Sequence, residues 1–213
     1  MSYIEIKNCS KVIKGNVILD NITLSLEKGK IYGFVGHNGS GKTILFKLLS
    51  GLLYCSDGEI KIAEKQISPD KDYPVKIGVM IENVGLWPYL SAFENLLVLA
   101  KIRNEISEND IRTVLERVQL DTGKKAFSKF SLGMKQRLIL AQAIMEEPDL
   151  LILDEPTNAL DKDGVELFKK IVKEEIARGA TVLIASHSME DFSDFCDGVI
   201  HLSNGKLIKT QGV

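Results

Sequence analysis

A glycine-rich stretch that could bind phosphate is the most informative feature of the sequence. Its residues are Gly36, His37, Asn38, Gly39, Ser40, Gly41, Lys42 and Thr43, which fit the pattern G-x-x-x-x-G-K-[ST]. Glycines let successive backbone N–H groups turn inward around an anion, and the start of a helix adds unpaired donors. In this pattern Lys42 reaches the terminal phosphates and the Thr43 hydroxyl holds Mg²⁺.

Two adjacent acids follow a buried apolar run. Residues 150–153 are four aliphatic residues, as in a strand inside a parallel sheet, and Asp154 and Glu155 come directly after them. Ligands bind at this end of the strands in open α/β sheets. We therefore expect Asp154 to hold the Mg²⁺ shell and Glu155 to polarise a water molecule against a γ-phosphate. A strand that ends in solvated acids is the alternative.

Composition and charge limit the function classes. The chain has 213 residues, of which 45% are hydrophobic and 26% charged, as in ordinary globular proteins. The formal net charge of -2, without any basic run, gives no case for a nucleic-acid partner. Three separated cysteines predict reduced thiols in a cytosolic compartment. Since no apolar run approaches the roughly 20 residues that span a bilayer, we expect any membrane role to require a partner.

The order of predicted elements indicates an α/β fold. Residues 31–35 read as a buried strand and residues 44–49 as the helix that follows it. Further strands are predicted at residues 3–7, 22–26, 58–63, 77–81, 150–153, 181–185 and 199–202. Helices are predicted within residues 93–118, 131–145 and 164–177, and the alternation after residue 148 is typical of a parallel sheet. We expect one domain, with residues 1–83 and 148–213 as core and about 84–147 as a helical insertion.

The third helical stretch begins with Ser131-Leu132-Gly133-Met134-Lys135. Ser131 is a suitable N-cap, and the exposed N–H groups of this first turn could bind a phosphate. An ordinary helix cap is the alternative interpretation of the same residues.

Together these residues resemble an ATP-binding cassette domain, the nucleotide-binding half of ABC transporters. The likeness covers essentially the whole chain, and the motifs come in the family's order. Ser131 to Lys135 stand where the family has L-S-G-G-Q, residues 158–161 resemble its D-loop, and His187 resembles its switch histidine. The resemblance implies a P-loop NTPase of ABC ATPase architecture. This fold has a RecA-like parallel-sheet core, an N-terminal antiparallel β part and an inserted α-helical subdomain.

The resemblance also implies an activity and partners. ATP and Mg²⁺ would be the cofactors, and two cassettes would form a head-to-tail dimer around two ATP molecules. A separate transmembrane permease would hold the subunit on the cytoplasmic face of the cell membrane. The implied roles are catalysis for Glu155 and His187, Mg²⁺ binding for Thr43, Asp154 and Glu82, and contacts across the dimer for Ser131, Gly133, Met134 and Asp161.

Three departures from the family pattern stand out. Glu82 replaces the glutamine that senses Mg²⁺, and Ile13 or Val12 replaces the aromatic residue that stacks on adenine, so aromatic stacking is lost. Leu132 and Met134 replace a glycine and the glutamine of L-S-G-G-Q. The resulting Ser-Leu-Gly-Met-Lys-Gln-Arg and Ile-Glu-Asn are similar to cassettes of bacterial bacitracin and lantibiotic export or immunity transporters. Peptide antibiotic export is therefore the expected kind of transport.

A segment after Glu82, residues 84–90, holds the only tryptophan of the chain. In the family this region lines the groove that receives a helix of the membrane subunit, and Trp87 and Tyr89 are residue types common at interfaces. A tryptophan packed within the helical subdomain is the alternative.

Two other functions are compatible with the phosphate loop. A non-transport cassette would clamp nucleic acid or a protein scaffold, but its usual coiled-coil insertion, second cassette or basic arms are not visible. A kinase or GTPase with the same phosphate loop would need an acceptor site or a guanine-reading motif such as N-K-x-D, and the sequence offers neither.

Overall fold

Two β-sheets and five helices form the fold in the computed structural model, which describes residues 2–81, 85–187 and 195–212. The strands are β1 (Ser2–Ile13), β2 (Asn16–Glu27), β3 (Ile31–Val35), β4 (Asp57–Ile62), β5 (Lys65–Gln66), β6 (Ile77–Met80), β7 (Leu150–Asp154), β8 (Thr181–Ser186), β9 (Gly198–Ser203) and β10 (Lys206–Gln211). The helices are α1 (Lys42–Leu49), α2 (Ala92–Arg103), α3 (Glu108–Arg117), α4 (Leu132–Ile144) and α5 (Lys162–Ala177). Of the helices described, none has the length and apolar character needed to cross a membrane.

The larger sheet has six strands in the order β10-β9-β3-β8-β7-β6. The pairs from β9 to β6 are parallel, whereas β10 runs antiparallel to β9. Every residue of β7 and β8 is buried, as expected for parallel strands covered on both faces. The continuous apolar runs at these strands therefore reflect their position in the centre of the sheet.

The register of this sheet aligns the ends of three strands. Val35 of β3 lies opposite Ser186 of β8, and Asp154 of β7 lies opposite Ala185 of β8. Because the strands are parallel, the chain leaves all three at the same edge of the sheet. The phosphate loop, Glu155 and His187 follow directly from these ends.

The smaller sheet is antiparallel, in the order β2-β1-β4-β5. Strands β1 and β2 are much longer than the predicted residues 3–7 and 22–26. They continue to a two-residue turn, Lys14-Gly15, in which both residues have positive φ, as in a type I′ hairpin. The prediction was too short because register shifts after Ile6 and Cys9 interrupt the alternation of apolar and polar residues.

The predicted helical stretch over residues 93–118 is two helices. Ser91 and Ser107 each start a helix with a capping box, in which the serine hydroxyl and a carboxylate three residues later bond reciprocally to the backbone. Between them α2 ends at Asn104, which adopts a left-handed conformation that ordinary helices cannot continue. The break sets α2 and α3 side by side.

The apolar core lies on both faces of the larger sheet. Leu150 and Ile152 of β7 pack with the smaller sheet and α1, whereas Leu151 and Leu153 pack with α2 to α5. The helices within residues 92–144 therefore share one apolar cluster with α5. Their division from the rest as a separate subdomain stays a prediction.

A buried carboxylate joins α3 to α5. The Glu175 side chain is only 2% exposed and accepts from the guanidinium groups of Arg117 and Arg178, each at 2.8 Å. Arg178 also donates to the carbonyl of Pro148, ahead of β7. Since an ion pair at low exposure is costly to break, this contact fixes α3 against the core.

Glu175→Gln should lower the free energy of unfolding by about 2–4 kcal/mol, because it leaves two arginines without their buried anion. Glu174→Gln is the matched control, since Glu174 also bonds Arg117 but is 42% exposed. We expect the control to cost less than about 1 kcal/mol. Urea unfolding of both variants measures the difference, and equal losses would contradict this role for Glu175.

Candidate active site

The phosphate loop lies between β3 and α1 in a backbone path that needs glycine at two positions. A Cβ at Gly36 would come within 2.2 Å of the Leu202 carbonyl oxygen. Gly41 has a φ of +108°, and a Cβ there would come within 2.7 Å of a methyl group of Leu19. The loop therefore packs directly on β9 and β2, and the first backbone N–H groups of α1, which follow it, have no acceptor within the helix.

A tight turn between β9 and β10 is hydrogen-bonded to the phosphate loop. Gly205 donates its N–H to the Ser40 carbonyl at 2.9 Å, and its own carbonyl accepts from Asp20 at 2.9 Å. Asn204 and Gly205 both have positive φ, which makes a second type I′ hairpin. Strand β10 was not predicted, although the Asn-Gly pair is a strong hairpin signal that indicates it.

Lys42 is buried beneath the loop. Its ammonium group donates to the carbonyls of Gly36 at 2.6 Å and His37 at 3.3 Å, and it lies 3.9 Å from the Glu155 carboxylate. The cation is thus held at the edge of the sheet where the loop would receive phosphate. His37 contributes through its backbone, since its carbonyl also accepts from the Ser40 N–H.

Two of the three predicted Mg²⁺ ligands lie within the described residues, and these two are in direct contact. The Thr43 hydroxyl donates to a carboxylate oxygen of Asp154 at 2.6 Å, although the two residues are 111 positions apart. Hard oxygen donors of this kind suit Mg²⁺, which takes few protein ligands and completes its shell with phosphate and water. The pair therefore fits the metal, while Glu82, the third predicted ligand, lies outside the described residues.

Glu155 is held in a left-handed conformation at the end of β7. Its φ is 49°, which is uncommon for a residue with a side chain. The conformation is held by hydrogen bonds: the Glu155 N–H donates to Ala185, and the amide of Gln136 donates to the Glu155 and Pro156 carbonyls, each at 3.1 Å. Gln136 is a supporting residue to which the sequence analysis gave no role.

The two predicted catalytic side chains meet. His187 Nδ1 lies 2.9 Å from a carboxylate oxygen of Glu155, and the imidazole is largely exposed. With its proton on Nδ1, the histidine donates to the carboxylate and fixes its orientation. The arrangement can polarise a water molecule at the edge of the sheet, next to the Lys42 ammonium.

The signature-like residues lie at the start of α4. Ser131 caps α4 by accepting from the Met134 N–H at 3.3 Å, and a Cβ at Gly133 would meet the Ala159 carbonyl at 3.4 Å. Among the described residues, no hydrogen bond joins Ser131 to the phosphate loop of its own chain. Asp161 accepts from the Gly164 N–H at 2.8 Å and so caps α5, a role that the sequence analysis did not predict.

The residues expected to cover a purine base lie at the tip of the β1–β2 hairpin. Val12 pairs with Val17 across the two strands, and both side chains are exposed, while Ile13 is partly buried. Strand β2 reaches the phosphate loop through Leu19. The tip of the hairpin thus carries apolar side chains and, over residues 12–17, no aromatic ring.

Comparison with known proteins identifies the family. The model of the family described as "ABC transporter" matches residues 19–158, about two thirds of the chain. The chain belongs to the ABC transporter family. An uncharacterised ABC transporter ATP-binding protein of Bacillus subtilis, YybJ, is 47% identical over 211 residues, which cover 99% of this cassette and 97% of that protein.

Two further relatives have named cargo. The bacitracin transport ATP-binding protein BcrA of Enterococcus faecalis is 38% identical, over 99% of this cassette and 69% of that protein. The lantibiotic transport ATP-binding protein SrtF of Streptococcus pyogenes is 36% identical, over 96% of this cassette and 89% of that protein.

A solved structure shows the same fold. The dimeric bacterial ABC transporter cassette MJ0796 superposes with a TM-score of 0.88, at 24% identity, and covers 98% of this cassette and 97% of that chain. The α/β P-loop fold and the family predicted from the sequence are both confirmed. The cassette binds ATP with Mg²⁺ and is an ATPase of the class that couples hydrolysis to transport.

Lys42→Ala should weaken MgATP binding by about 10- to 150-fold, because a charge-assisted contact to phosphate is worth roughly 1.5–3 kcal/mol. Lys47→Ala, at the far end of α1, is the matched control and should bind like the wild type. Isothermal titration calorimetry gives both affinities. Unchanged affinity in a folded Lys42→Ala protein would contradict the position assigned to this ammonium group.

Proposed function

We propose that this cassette dimerises on MgATP and hydrolyses it to drive a separate transmembrane permease. The observation that carries the proposal is the contact between Glu155 and His187 at the sheet edge where Lys42, Thr43 and Asp154 also meet. The groups that we propose to bind phosphate, hold the metal and polarise water are thus within one site.

The binding step rests on the loop and its cation. The backbone N–H groups at the start of α1 and the Lys42 ammonium bind the β- and γ-phosphates. Thr43 and Asp154 hold Mg²⁺, together with Glu82 as the third proposed ligand. Mg²⁺, when bound, neutralises charge that develops on the phosphate oxygens.

The hydrolytic step rests on the Glu155 carboxylate. It accepts a hydrogen bond from the attacking water and takes its proton as the water oxygen bonds to the γ-phosphorus, while the bond from that phosphorus to the bridging oxygen breaks and ADP leaves. His187 holds the carboxylate in this orientation through Nδ1 and turns the rest of its ring toward the γ-phosphate. The hydrogen bonds from Gln136 keep the backbone of Glu155 in its left-handed conformation throughout.

The proposed dimer supplies the remaining side of the site. Ser131, Gly133 and Met134 lie at the start of α4, where Leu132 is exposed, and Asp161 lies nearby in the turn before α5. In a head-to-tail dimer the Ser131 hydroxyl and the first N–H groups of α4 contact the γ-phosphate held by the partner's loop. We propose a homodimer, because a single chain carries both halves of such a site.

The proposed cargo is a peptide antibiotic, moved outward. BcrA and SrtF are named for bacitracin and lantibiotic transport, and they share 38% and 36% of their aligned residues with this cassette. The cassette would lie on the cytoplasmic face of the membrane, bound to its permease.

Apolar cover at Val12 and Ile13 in place of an aromatic ring favours loose selection between ATP and GTP.

A surface loop that we propose as the contact for the permease is held in place by the buried side-chain amide of Asn95. The Asn95 side chain is 0% exposed, and its oxygen accepts from the Trp87 N–H at 2.7 Å. Its nitrogen donates to the carbonyls of Trp87, Leu90 and Ser91 at 3.1, 3.2 and 2.9 Å. These bonds fix the loop so that Tyr89, 71% exposed, projects from it.

The same loop is tied to the chain that leads into Ser131. The carbonyls of Pro88 and Leu90 accept from the N–H groups of Ser128 and Phe127, both at 2.8 Å. Ser131 follows within a few residues, as the N-cap of α4. A permease contact at Tyr89 would therefore bear on the position of the signature serine through two backbone hydrogen bonds.

Glu155→Gln should retain MgATP binding and lose turnover by about 10²–10⁴-fold, because the amide cannot accept the proton of the water. Slow hydrolysis should also let the ATP-bound dimer accumulate, with a mass by light scattering near twice 23.6 kDa. Glu166→Gln, at an exposed position on α5, is the control. Wild-type turnover in Glu155→Gln would exclude Glu155 as the base.

Tyr89→Ala should weaken association with the proposed permease by roughly 10- to 30-fold, the loss typical of a tyrosine anchor. ATP affinity of the isolated cassette should not change, since the side chain is exposed. Ile102→Ala, 76% exposed on α2, is the matched control. Co-purification from detergent measures the association, and equal recovery of permease with all three proteins would contradict the assignment of this loop.

A further inference from the structure

Two cysteines that are distant in the sequence belong to neighbouring segments, which are β1 and the turn between α1 and β4. The Ser56 N–H donates to the Ser10 carbonyl at 2.8 Å, and the Ser56 hydroxyl accepts from the Val12 N–H at 3.0 Å. Lys11 follows Ser10 in β1, and its ammonium donates to the Tyr54 carbonyl at 2.7 Å. These bonds hold the segment around Cys55 against the part of β1 that contains Cys9.

Cys55 packs against the apolar cluster to which Cys9 belongs. Cys9 is fully buried in the core between the smaller sheet and α1, whereas Cys55 is partly exposed in the loop. Interaction with the Cys9 thiol lowers the pKa of Cys55, and the nearby Lys11 ammonium lowers it further. Interaction with Cys55, and then burial, raise the pKa of Cys9. Cys55 is thus the thiol that ionises first.

Cys55 is also partly exposed, as Cys196 is. It lines an open cavity of about 180 Å³ beside Leu53, Tyr54, Gln66 and Ile67. Cys196 offers a contrast within the same chain, because burial raises the pKa of its thiol to about 12. Thiolate character and access therefore coincide at Cys55.

We propose that Cys9 and Cys55 form a reactive thiol pair that takes low-molecular-weight disulfides. The Cys55 thiolate attacks one sulfur of the small disulfide, which forms a mixed disulfide and expels one small thiolate. Cys9 then attacks the Cys55 sulfur and expels the second small thiolate, which takes up the proton that Cys9 loses. Two protein thiols are oxidised by two electrons, and one small disulfide is reduced to two thiols.

The product bond would join β1 to the segment that leaves the phosphate-loop helix. Because the two segments are already hydrogen-bonded, the bond constrains mainly the unfolded chain, and the closed loop includes β2, β3 and α1. We therefore expect the melting temperature of the oxidised protein to rise by about 5–15 °C.

The test treats the folded, full-length chain with oxidised glutathione at pH 7.5 and follows intact mass and peptide maps. The wild type should lose the mass of two hydrogens and yield a Cys9–Cys55 cross-linked peptide. Cys9→Ser should stop at a glutathione adduct on Cys55, and Cys55→Ser should react at least tenfold more slowly. Cys196→Ser, the matched control, should behave as the wild type.

The outcomes that overturn the proposal are distinct. Modification that starts at Cys196, or a stable glutathione adduct on Cys55 in the wild type without a Cys9–Cys55 peptide, would show that the pair does not act together. Wild-type protein that stays fully reduced would show that Cys55 is not reactive. The wild-type peptide map decides these points even where a variant fails to fold, and circular dichroism identifies such a variant.

Discussion

The structure depends on the parallel register that sets the ends of β3, β7 and β8 at one level. Val35, Asp154 and Ser186 end their strands together, so the phosphate loop, Glu155 and His187 start from one edge. Two short contacts then join these segments: Thr43 to Asp154 at 2.6 Å and Glu155 to His187 at 2.9 Å. A slip of one residue in β7 would turn its alternate side chains to the opposite face and separate both pairs.

The site holds local strain that its surroundings offset. Glu155 keeps a left-handed backbone, at a cost of order 1 kcal/mol or more, and Gln136 and Ala185 supply the hydrogen bonds that hold it there. Lys42 occupies a buried position by donating to two carbonyls of the loop. The strained Glu155 and the buried Lys42 are thus already in position for a charged substrate. Binding of that substrate replaces hydrogen bonds that Lys42 makes to carbonyls of the loop.

The sequence predicts those parts of the site that are contiguous. Residues 36–43 and the acid pair after β7 carry enough local pattern to indicate the fold class, and the comparisons confirm it. The residues that support the site contact it from distant parts of the sequence and leave weaker signals. Gly205 is recognised only through its Asn-Gly turn, and nothing in the pattern of α4 indicates the role of Gln136. Asn95 is an intermediate case, since a polar residue on the apolar stripe of α2 indicates a buried role but not its partners. The roles of the individual site residues stay predictions.

We propose that one nucleotide site needs the phosphate loop of one chain and Ser131 of another. Mixing Lys42→Ala with Ser131→Ala protein tests it most directly, because each variant alone has only damaged sites, whereas the mixed dimer contains one intact site. Steady-state phosphate release should be at background for each variant and should appear when the two are mixed. A mixture that stays at background, although native mass spectrometry shows the mixed dimer with MgATP bound, would contradict the claim.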